Sequence, residues 1–493
     1  MFKIAISYPP LKNIKGIPAI GQNRQYQELS SHWNAYPIVL ASAATLLKSN
    51  GYKVFWDDAI AEGIDFETWE KRIIEQRPDL VVIETKTPVV KHHWQLINDL
   101  KQKSAQIGWN LKIVLVGDHV SALPEESLKH SNVDYVLMGG DYDFSLLNLV
   151  NYLNQKETLK HGWYFHDSNG EIKNTGNFIL NHNLDELPFI DRDLSQWKLY
   201  AFKNSNYCSL PGTYTMFARD CWWGKCSFCS WVHNLYPIES YRVMSVERAL
   251  NEIGHIIEHY PIKEIMDDSG TFPTGDWLRQ FCKGMIERGY NKRVRINCNM
   301  RFNNDLLEQD YKLMAQAGFR FLLFGLESVN KKTLDRLNKN LKVEDIETTL
   351  SWAKRAGLYP HLTIMIGYPW ETKIDIEKTL EFVKKIFKKN LADSLQATMV
   401  MPYPGTPLFK EAKENGWLKT LDWNSYSMKN PVLETGISDI EIKQLTRSFY
   451  KAILSPQFIF QKLKESFFDF DIFRYYCRLA LKFFSKLWDF FRT

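Results

Sequence analysis

The sequence lacks any apolar stretch long enough to cross a membrane. A spanning helix needs about 20 predominantly apolar residues, and no uninterrupted run of that length occurs. Residues 1–8 also lack the basic segment, followed by an apolar one, that begins a secretory signal. A large excess of one sign of charge is lacking too, because the 493 residues carry a formal net charge of only +5. This small excess does not favour nucleic acid as a partner, and none is expected. The lack of a spanning segment and of a secretory signal leads us to expect a cytoplasmic protein.

Cysteine is also scarce, and it is unevenly placed. There are seven cysteines, an odd number, and three of them lie within nine residues. This pattern does not indicate a disulfide framework and favours a reducing compartment. The other four are interpreted as small buried hydrophobic residues: Cys208, Cys282, Cys298 and Cys477.

Neither internal repeats nor low-complexity linkers divide the chain, so its organisation is read from the alternation of strand and helix patterns. The length predicts two or three domains. Residues 1–150 alternate continuous apolar strands with helices, which predicts a doubly wound α/β sheet. Residues 151–205 form a connector, in which Ser168-Asn169-Gly170 predicts a hairpin turn. Residues 206–420 contain six further βα units, which predict a partial (β/α)6 barrel. Residues 421–493 are predicted to be a helical, aromatic-rich C-terminal region.

Ligands of doubly wound sheets bind beyond the carboxyl ends of the strands. No G-x-G-x-x-G follows the first strand of this sheet, so a dinucleotide is not expected. The later strand ends carry Gly117-Asp118-His119 and Gly139-Gly140-Asp141. These loops are therefore the candidate ligand contacts of the N-terminal sheet.

The strongest chemical signal is the C-x4-C-x2-C spacing of Cys221, Cys226 and Cys229. Three thiolates can hold a cubane iron–sulfur cluster and leave one iron open for a further ligand. The loop follows a barrel strand, and other strands end in Asp267-Asp268, Glu327-Ser328 and Gly367. Because barrel active sites lie at the carboxyl ends of the strands, these residues are predicted to share one site.

Zinc is the competing interpretation of the cysteines. His233 lies four residues after Cys229 and would complete a Cys3His set on spacing alone. Structural zinc loops belong to small modules, whereas this loop is predicted at the mouth of a large barrel. An iron–sulfur cluster is therefore favoured.

The segment Ala218–Cys229 resembles the cluster loop of radical S-adenosylmethionine (SAM) enzymes. Its first gap is one residue longer than the commonest C-x3-C-x2-C spacing of that superfamily. Residues 325–328 (GLES), 367–372 (GYPWET) and 402–407 (PYPGTP) are similar to motifs of the subgroup that carries an N-terminal cobalamin domain. The resemblance covers about residues 1–420.

The resemblance implies that Cys221, Cys226 and Cys229 ligate a [4Fe-4S] cluster whose open iron binds SAM. It implies an electron donor such as flavodoxin or ferredoxin. Further residues are implied to contact SAM: Phe228 near the adenine, Glu327 with Ser328 at the ribose, backbone near Gly367, and Asp267 and Asp268 at SAM or the substrate.

Cobalamin is implied as the second cofactor, although the Asp-x-His-x-x-Gly signature that supplies a cobalt-binding histidine is absent. Members of the subgroup hold cobalamin without a protein imidazole, so His119 is only a secondary candidate. Backbone groups around Gly117, Gly139 and Gly140 are expected at the tail and corrin edge. The alternative is a vestigial sheet that binds no cofactor.

The expected activity is methylation of an unactivated centre in a specialised metabolite, a lipid or a peptide. A cyclisation, rearrangement or oxidation with the same cofactors is the first alternative. A zinc-stabilised binding protein without catalysis is the second.

The C-terminal region interleaves aromatic and basic residues, as in Phe467-Phe468-Asp469-Phe470 and Leu487-Trp488-Asp489-Phe490-Phe491. This composition fits peripheral contact with a membrane surface. Terminal helices that pack onto the protein are the alternative. The segment from about residue 420 is expected to roof the barrel.

Overall fold

The computed structural model describes residues 1–11, 17–19, 27–29, 34–204, 206–302, 305–453, 455–466 and 471–478. The first half of the chain forms nine strands and seven helices. The strands are β1 Lys3–Tyr8, β2 Ile17–Ala19, β3 Gln27–Leu29, β4 Lys53–Asp58, β5 Leu80–Glu84, β6 Lys112–Val116, β7 Tyr135–Leu137, β8 Trp163–His166 and β9 Ile172–Asn174. The helices are α1 Ile38–Ser49, α2 Ala59–Glu62, α3 Phe66–Gln76, α4 Val90–Gln106, α5 Asp118–Ala122, α6 Pro124–His130 and α7 Tyr142–Leu153.

The second half of the chain contains the remaining strands and helices, from α8 to α17. The strands are β10 Gly212–Thr215, β11 Ala218–Arg219, β12 Arg242–Val243, β13 Glu264–Asp267, β14 Arg295–Met300, β15 Phe319–Glu327, β16 Tyr359–Ile366 and β17 Ser394–Met399. The helices are α8 Lys198–Ala201, α9 Val246–His259, α10 Gly275–Glu287, α11 Glu308–Gln316, α12 Lys331–Arg336, α13 Val343–Arg355, α14 Lys373–Lys388, α15 Pro407–Glu414, α16 Asp439–Ala452 and α17 Pro456–Ser466.

The N-terminal sheet has the strand order β4-β1-β5-β6-β7-β8-β9. Its first five strands pair in parallel, because each is followed by a helix that returns the chain to the same edge. The predicted hairpin of the connector forms β8 and β9, which extend this sheet antiparallel to β7. The apolar runs predicted as buried strands are buried, as in β5, where all five residues are inaccessible. The predicted doubly wound sheet is confirmed.

The barrel sheet has the order β10-β13-β14-β15-β16-β17, with all five pairings parallel. Strand order follows chain order, as expected of βα units wound in one direction. The predicted partial (β/α)6 barrel is confirmed. Its carboxyl ends carry the cysteine loop and the other predicted site residues.

Three ion pairs, made by Arg219 and Arg242, connect the N-terminal sheet to the segments that flank the cysteine loop. Arg219, in β11, donates from Nη1 to Asp141 Oδ1 at 2.9 Å and to Asp143 Oδ1 at 2.9 Å. Arg242, in β12, donates to both oxygens of Asp141. We call Arg219, Arg242, Asp141 and Asp143 the domain clamp. Arg219 of the clamp lies two residues before Cys221, so its pairing with the N-terminal sheet fixes the start of the cysteine loop.

Residues 456–466 and 471–478 of the C-terminal region lie at the opposite end of the barrel from the cysteines, where Lys462 pairs with Asp393 just before β17. Arg478 donates to the backbone oxygen of Cys208 at 2.7 Å, and the Tyr475 ring lies 5.1 Å from the guanidinium of Arg320 at the start of β15. The expectation that the segment from about residue 420 roofs the barrel is therefore wrong for residues 456–466 and 471–478. The quoted motifs at 467–470 and 487–491 lie outside the described residues.

All seven cysteines are free, which agrees with the absence of a disulfide framework. Cys208, Cys282 and Cys298 are buried, as predicted, whereas Cys477 is exposed, so the prediction of a buried Cys477 is wrong. In the described ranges no helix combines the length and the apolar character that crossing a bilayer requires.

Candidate active site at the carboxyl ends of the barrel strands

The cysteine loop runs over the carboxyl edge of the barrel and is held there by backbone contacts. The Ser227 N–H donates to Leu337 O at 3.0 Å, and the Leu408 N–H donates to Ser227 O at 3.0 Å. The Trp223 indole donates to Asn338 O at 2.8 Å. The loop is thereby anchored to the segments that follow β15 and β17, although both are remote from it in sequence.

Cys226 is buried beside two cations, and Cys221 and Cys229 are half-buried. Burial raises the pKa of Cys226, while the nearby cations Lys339 and Arg301 lower it. Burial likewise raises the pKa of Cys229, and the charges of Cys226 and Cys221 add to that rise. Arg301 Nη1 lies 3.6 Å from Cys226 Sγ. Three thiols beside two cations are a donor set suited to an anionic iron–sulfur cluster.

Among the described residues, no three cysteine, histidine or carboxylate side chains already converge as a metal site. A cluster would therefore draw the three thiols closer together. The zinc alternative is weakened by His233, whose Nε2 donates to the backbone oxygen of Cys226 at 3.1 Å. That nitrogen is therefore occupied by a carbonyl.

Glu327 and Lys339 form a buried ion pair beside the cysteine loop. Lys339 Nζ lies 2.9 Å from Glu327 Oε1 and 5.8 Å from the centre of the Phe228 ring. Gly325 makes room for this pair, because a Cβ there would lie 2.6 Å from Lys339 Nζ. The predicted adenine and ribose contacts, Phe228 and Glu327, are thus brought together. Lys339 was not found from the sequence, because it follows no strand directly.

A second buried cluster surrounds Glu371, in the loop after β16. Glu371 Oε1 accepts from Thr333 Oγ1 at 3.0 Å and from Ser328 Oγ at 3.2 Å. Within the described chain, Glu371 Oε2 and the Tyr368 hydroxyl are buried without a hydrogen-bond partner. Such atoms are costly unless a ligand satisfies them, and SAM carries amino, carboxylate and hydroxyl groups. The adjacent predicted residue, Gly367, supplies the turn that places Tyr368 here, with φ +88°.

Glu371→Gln should stabilise the fold more at alkaline than at acidic pH. Burial raises the pKa of Glu371 from 4.5 to about 7. The folded state therefore binds more protons than the unfolded state between these values, and the stability of the wild type falls as pH rises through them. Glutamine keeps an acceptor for Ser328 and Thr333 without titrating. Urea unfolding should show the variant gaining roughly 2 kcal/mol on the wild type from about pH 5 to about pH 8. A pH-independent difference would contradict this.

Asp267 and Asp268 differ in their surroundings. Asp267 is buried and accepts from the Phe217 N–H at 2.9 Å and from Thr215 Oγ1 at 3.2 Å. Burial raises its pKa to about 6. Asp268 is also buried, and its N–H donates to Thr215 O. Asp267 thus holds the start of the cysteine loop, and its predicted contact with SAM or substrate stays a prediction.

His119 uses both ring nitrogens within the protein. Nδ1 lies 3.1 Å from Thr87 Oγ1, and Nε2 lies 3.1 Å from Glu126 Oε2. The Trp423 ring packs edge-on against the imidazole at 5.3 Å. The structure therefore gives His119 a packing role, while its predicted contact with cobalt stays a prediction.

The three predicted glycine contacts lie beneath other parts of the chain. A Cβ on Gly117, where φ is +135°, would lie 2.1 Å from Thr85 O. A Cβ on Gly140 would lie 2.2 Å from the Tyr236 ring, and one on Gly139 would lie 2.8 Å from Phe178. Close packing therefore accounts for these glycines. Their predicted role at a corrin stays a prediction.

A buried polar network links the carboxyl edge of the N-terminal sheet to the cysteine loop. The Tyr8 hydroxyl donates to Glu84 Oε2 at 2.5 Å, and Lys86 Nζ lies 3.8 Å from Glu84 Oε1 and 3.6 Å from Asp118 Oδ1. Ser230, directly after Cys229, donates to Asp118 Oδ2 at 3.1 Å. Sequence reasoning noted these strand ends without assigning the network, because its members are far apart in the chain.

The network also contains an unsatisfied group. Burial, with a contribution from Glu84, raises the pKa of Tyr142 well above its ordinary value. Within the described residues, its hydroxyl has no hydrogen-bond partner. The amide groups around a corrin are partners that such a hydroxyl could take. The polar groups of this edge thus suit cobalamin, although Tyr236, Phe178 and Trp423 cover it.

Polar side chains face the interior of the barrel below the site. Thr363 of β16 is paired in register with Gln396 of β17, and His361 with Ser394. All four are partly exposed, whereas Leu362 and Ala397 on the opposite face are buried. His361 Nδ1 lies 2.8 Å from Ser394 Oγ. The barrel interior is therefore accessible and polar on this side.

Comparison with known proteins agrees with this geometry. Residues 216–383 match the sequence pattern of the radical SAM superfamily. An uncharacterised methyltransferase of Pyrococcus horikoshii is 27% identical over 426 residues, which are 85% of this chain and 87% of the relative. The anaerobic magnesium-protoporphyrin IX monomethyl ester cyclase of Rubrivivax gelatinosus is 22% identical over 427 residues, 84% of this chain and 72% of the relative.

Among solved structures, the fold is similar to OxsB, a cobalamin-dependent S-adenosylmethionine radical enzyme with aqua-cobalamin and S-adenosylmethionine bound. The TM-score is 0.70 at 15% sequence identity. The alignment covers 98% of this chain and 71% of that one, so it includes both sheets.

Proposed function

We propose that this chain, which belongs to the radical SAM superfamily, is a cobalamin-dependent methyltransferase acting on an unactivated centre. The observation that carries the proposal is that the mouth of the barrel meets the carboxyl edge of the N-terminal sheet. The cysteine loop at the barrel mouth is joined to the carboxyl edge of the N-terminal sheet through Ser230 and Asp118. A site shared by two cofactors needs this arrangement. The methyltransferase name of the Pyrococcus relative supports the reaction, and the cofactors bound to OxsB support the cofactor pair.

Cys221, Cys226 and Cys229 would hold the cluster, and the carboxyl edge near Tyr142 and Lys86 would hold cobalamin. When bound, the cluster supplies the electron that cleaves SAM to a 5′-deoxyadenosyl radical, and cobalamin carries the methyl group. Because Tyr236 and Trp423 cover that edge, cobalamin binding requires this cover to move. A flavodoxin or ferredoxin would supply the electron in a reducing cytoplasm.

The chain's own residues bind and orient SAM in this proposal. Glu327 would exchange its Lys339 partner for ribose hydroxyls, while Phe228 packs against the adenine. Tyr368 and Glu371 would satisfy their unpaired polar atoms on SAM. Thr363 and Gln396 would contact a polar part of the substrate, which we take to be a small molecule, a lipid or a peptide.

The test is reconstitution under anaerobic conditions with iron, sulfide and hydroxocobalamin. We expect iron–sulfur absorbance, retained cobalamin, and formation of both 5′-deoxyadenosine and S-adenosylhomocysteine from SAM and a reductant. Zinc in place of iron, or no cluster absorbance, would refute the radical SAM assignment. Cluster without retained cobalamin would refute the second cofactor.

A second candidate is a cyclisation or oxidation with the same cofactors. The Rubrivivax relative, named a cyclase, favours it. Formation of 5′-deoxyadenosine without S-adenosylhomocysteine would select this candidate over methyl transfer. Product masses then separate the two, because methylation adds one methyl group to the substrate.

A further inference from the structure

Helix α17 has an inner face that packs on the barrel. The Phe458 ring meets Phe387 of α14 edge-on, with centroids 5.2 Å apart. Lys462 is buried and reaches Asp393 at 2.5 Å and Glu465 at 2.9 Å. These contacts fix the orientation of the helix and therefore determine which of its residues face outward.

The outer face of α17 is a second apolar stripe. Ile459, Phe460 and Leu463 are 44%, 70% and 59% exposed. At about 100° per residue they fall within an arc of about 100°, centred on the side of the helix away from Phe458 and Lys462. Phe473, in the helical residues 471–478, is exposed as well. An amphipathic helix that packs only on the barrel needs one apolar face, so the second face calls for another partner.

The sequence around this stripe has more basic than acidic residues. Lys464 lies at its flank and is exposed. Residues 456–493 carry seven basic and four acidic side chains. The last fifteen residues, 479–493, contain five aromatic rings, three basic residues and one acidic residue. Interleaved bulky apolar and basic residues are the composition of segments that lie in the interface of anionic bilayers.

We propose that the outer stripe of α17 binds an anionic lipid surface. The protein would lie on the membrane without spanning it, with the base of the barrel facing the lipid and the cysteine mouth facing away. A second copy of this chain is a less suitable occupant, because two stripes of the same charge would repel each other. The proposal does not depend on the reaction catalysed.

The test is co-sedimentation of the full chain with vesicles of phosphatidylcholine alone or mixed equally with phosphatidylglycerol. We expect binding to the mixed vesicles that weakens as salt is raised, and little binding to phosphatidylcholine alone. The double variant Phe460→Ser, Leu463→Ser should bind the mixed vesicles at least about tenfold more weakly, because two large apolar side chains no longer enter the interface.

The matched control is Ile374→Ser, Ile440→Ser, which removes two comparably exposed residues, at 63% and 69%, from α14 and α16. We expect it to bind the vesicles as the wild type does. Equal binding of the wild type and the Phe460, Leu463 variant would overturn the proposal, as would no binding of the wild type. A wild-type dimer that this variant dissociates would assign the stripe to a second copy and overturn it too. Unchanged circular dichroism would show that both variants fold.

Discussion

Cys226→Ala should abolish the reductive cleavage of SAM while the protein remains folded. Cys226 is the most buried of the three thiols in the loop and the one closest to a cation, Arg301. Without it, two thiolates remain for a cluster that requires three. The loop keeps its backbone anchors, because these use Ser227 and Trp223. The measurement is 5′-deoxyadenosine formed per protein after anaerobic reconstitution, which should fall below detection.

Cys282→Ala is the matched control, because Cys282 is an equally buried free thiol in α10. It should keep full cleavage of SAM and lose only a little stability. Continued 5′-deoxyadenosine formation by the Cys226 variant would refute the assigned ligand. Equal loss in both variants would show that the effect arises from general destabilisation.

Asp143→Ala should destabilise the fold by about 3–5 kcal/mol, because it leaves Arg219 without one partner of a buried ion pair. Asp143 and Arg219 are nearly inaccessible, and the pair is bidentate. Burial opposes the charge of Arg219, yet Asp143 and Asp141 hold its pKa well above its ordinary value. Urea unfolding of the apoprotein at neutral pH measures the loss.

The matched control for the domain clamp is Asp422→Ala. It removes the exposed pair between Lys91 and Asp422, which also joins two distant parts of the chain at 2.7 Å. Surface pairs contribute at most about 1 kcal/mol, so little change is expected. A loss below about 1 kcal/mol in the Asp143 variant would show that the clamp does not hold the two sheets together. The Asp143 variant should also retain less iron after gel filtration, because Arg219 precedes the cysteine loop.

Several parts of the fold were predictable from the sequence because the signals were local. Strands such as β5 and β6 are short apolar runs, and the order of strands and helices follows from the alternation. The hairpin of β8 and β9 was likewise predicted by the turn residues Ser168-Asn169-Gly170 between them. Pattern-based reasoning failed at Cys477 and for the placement of residues 456–466 and 471–478. A terminal amphipathic segment fits either end of a barrel equally well, so its sequence alone does not choose.

The candidate site was only partly predictable. Cys221, Cys226 and Cys229 lie in one segment, and Glu327 and Gly367 end strands, so spacing was sufficient to find them. Sequence reasoning gave no role to Lys339, to Tyr368 or to the unpaired oxygen of Glu371. Their importance comes from burial and from missing partners, which only the structure shows.

The sequence by itself determined the two sheets, the cysteine loop and the strand ends that surround it, because these depend on residues close together in the chain. Only the tertiary structure decided how the two halves meet. Asp143 and Arg219 are separated by 76 residues, and Asp118 and Ser230 by 112. Such pairs leave no periodic signal, since each is specified by the packing of two domains. The same packing decided that α17 lies beneath the barrel with an apolar face still exposed.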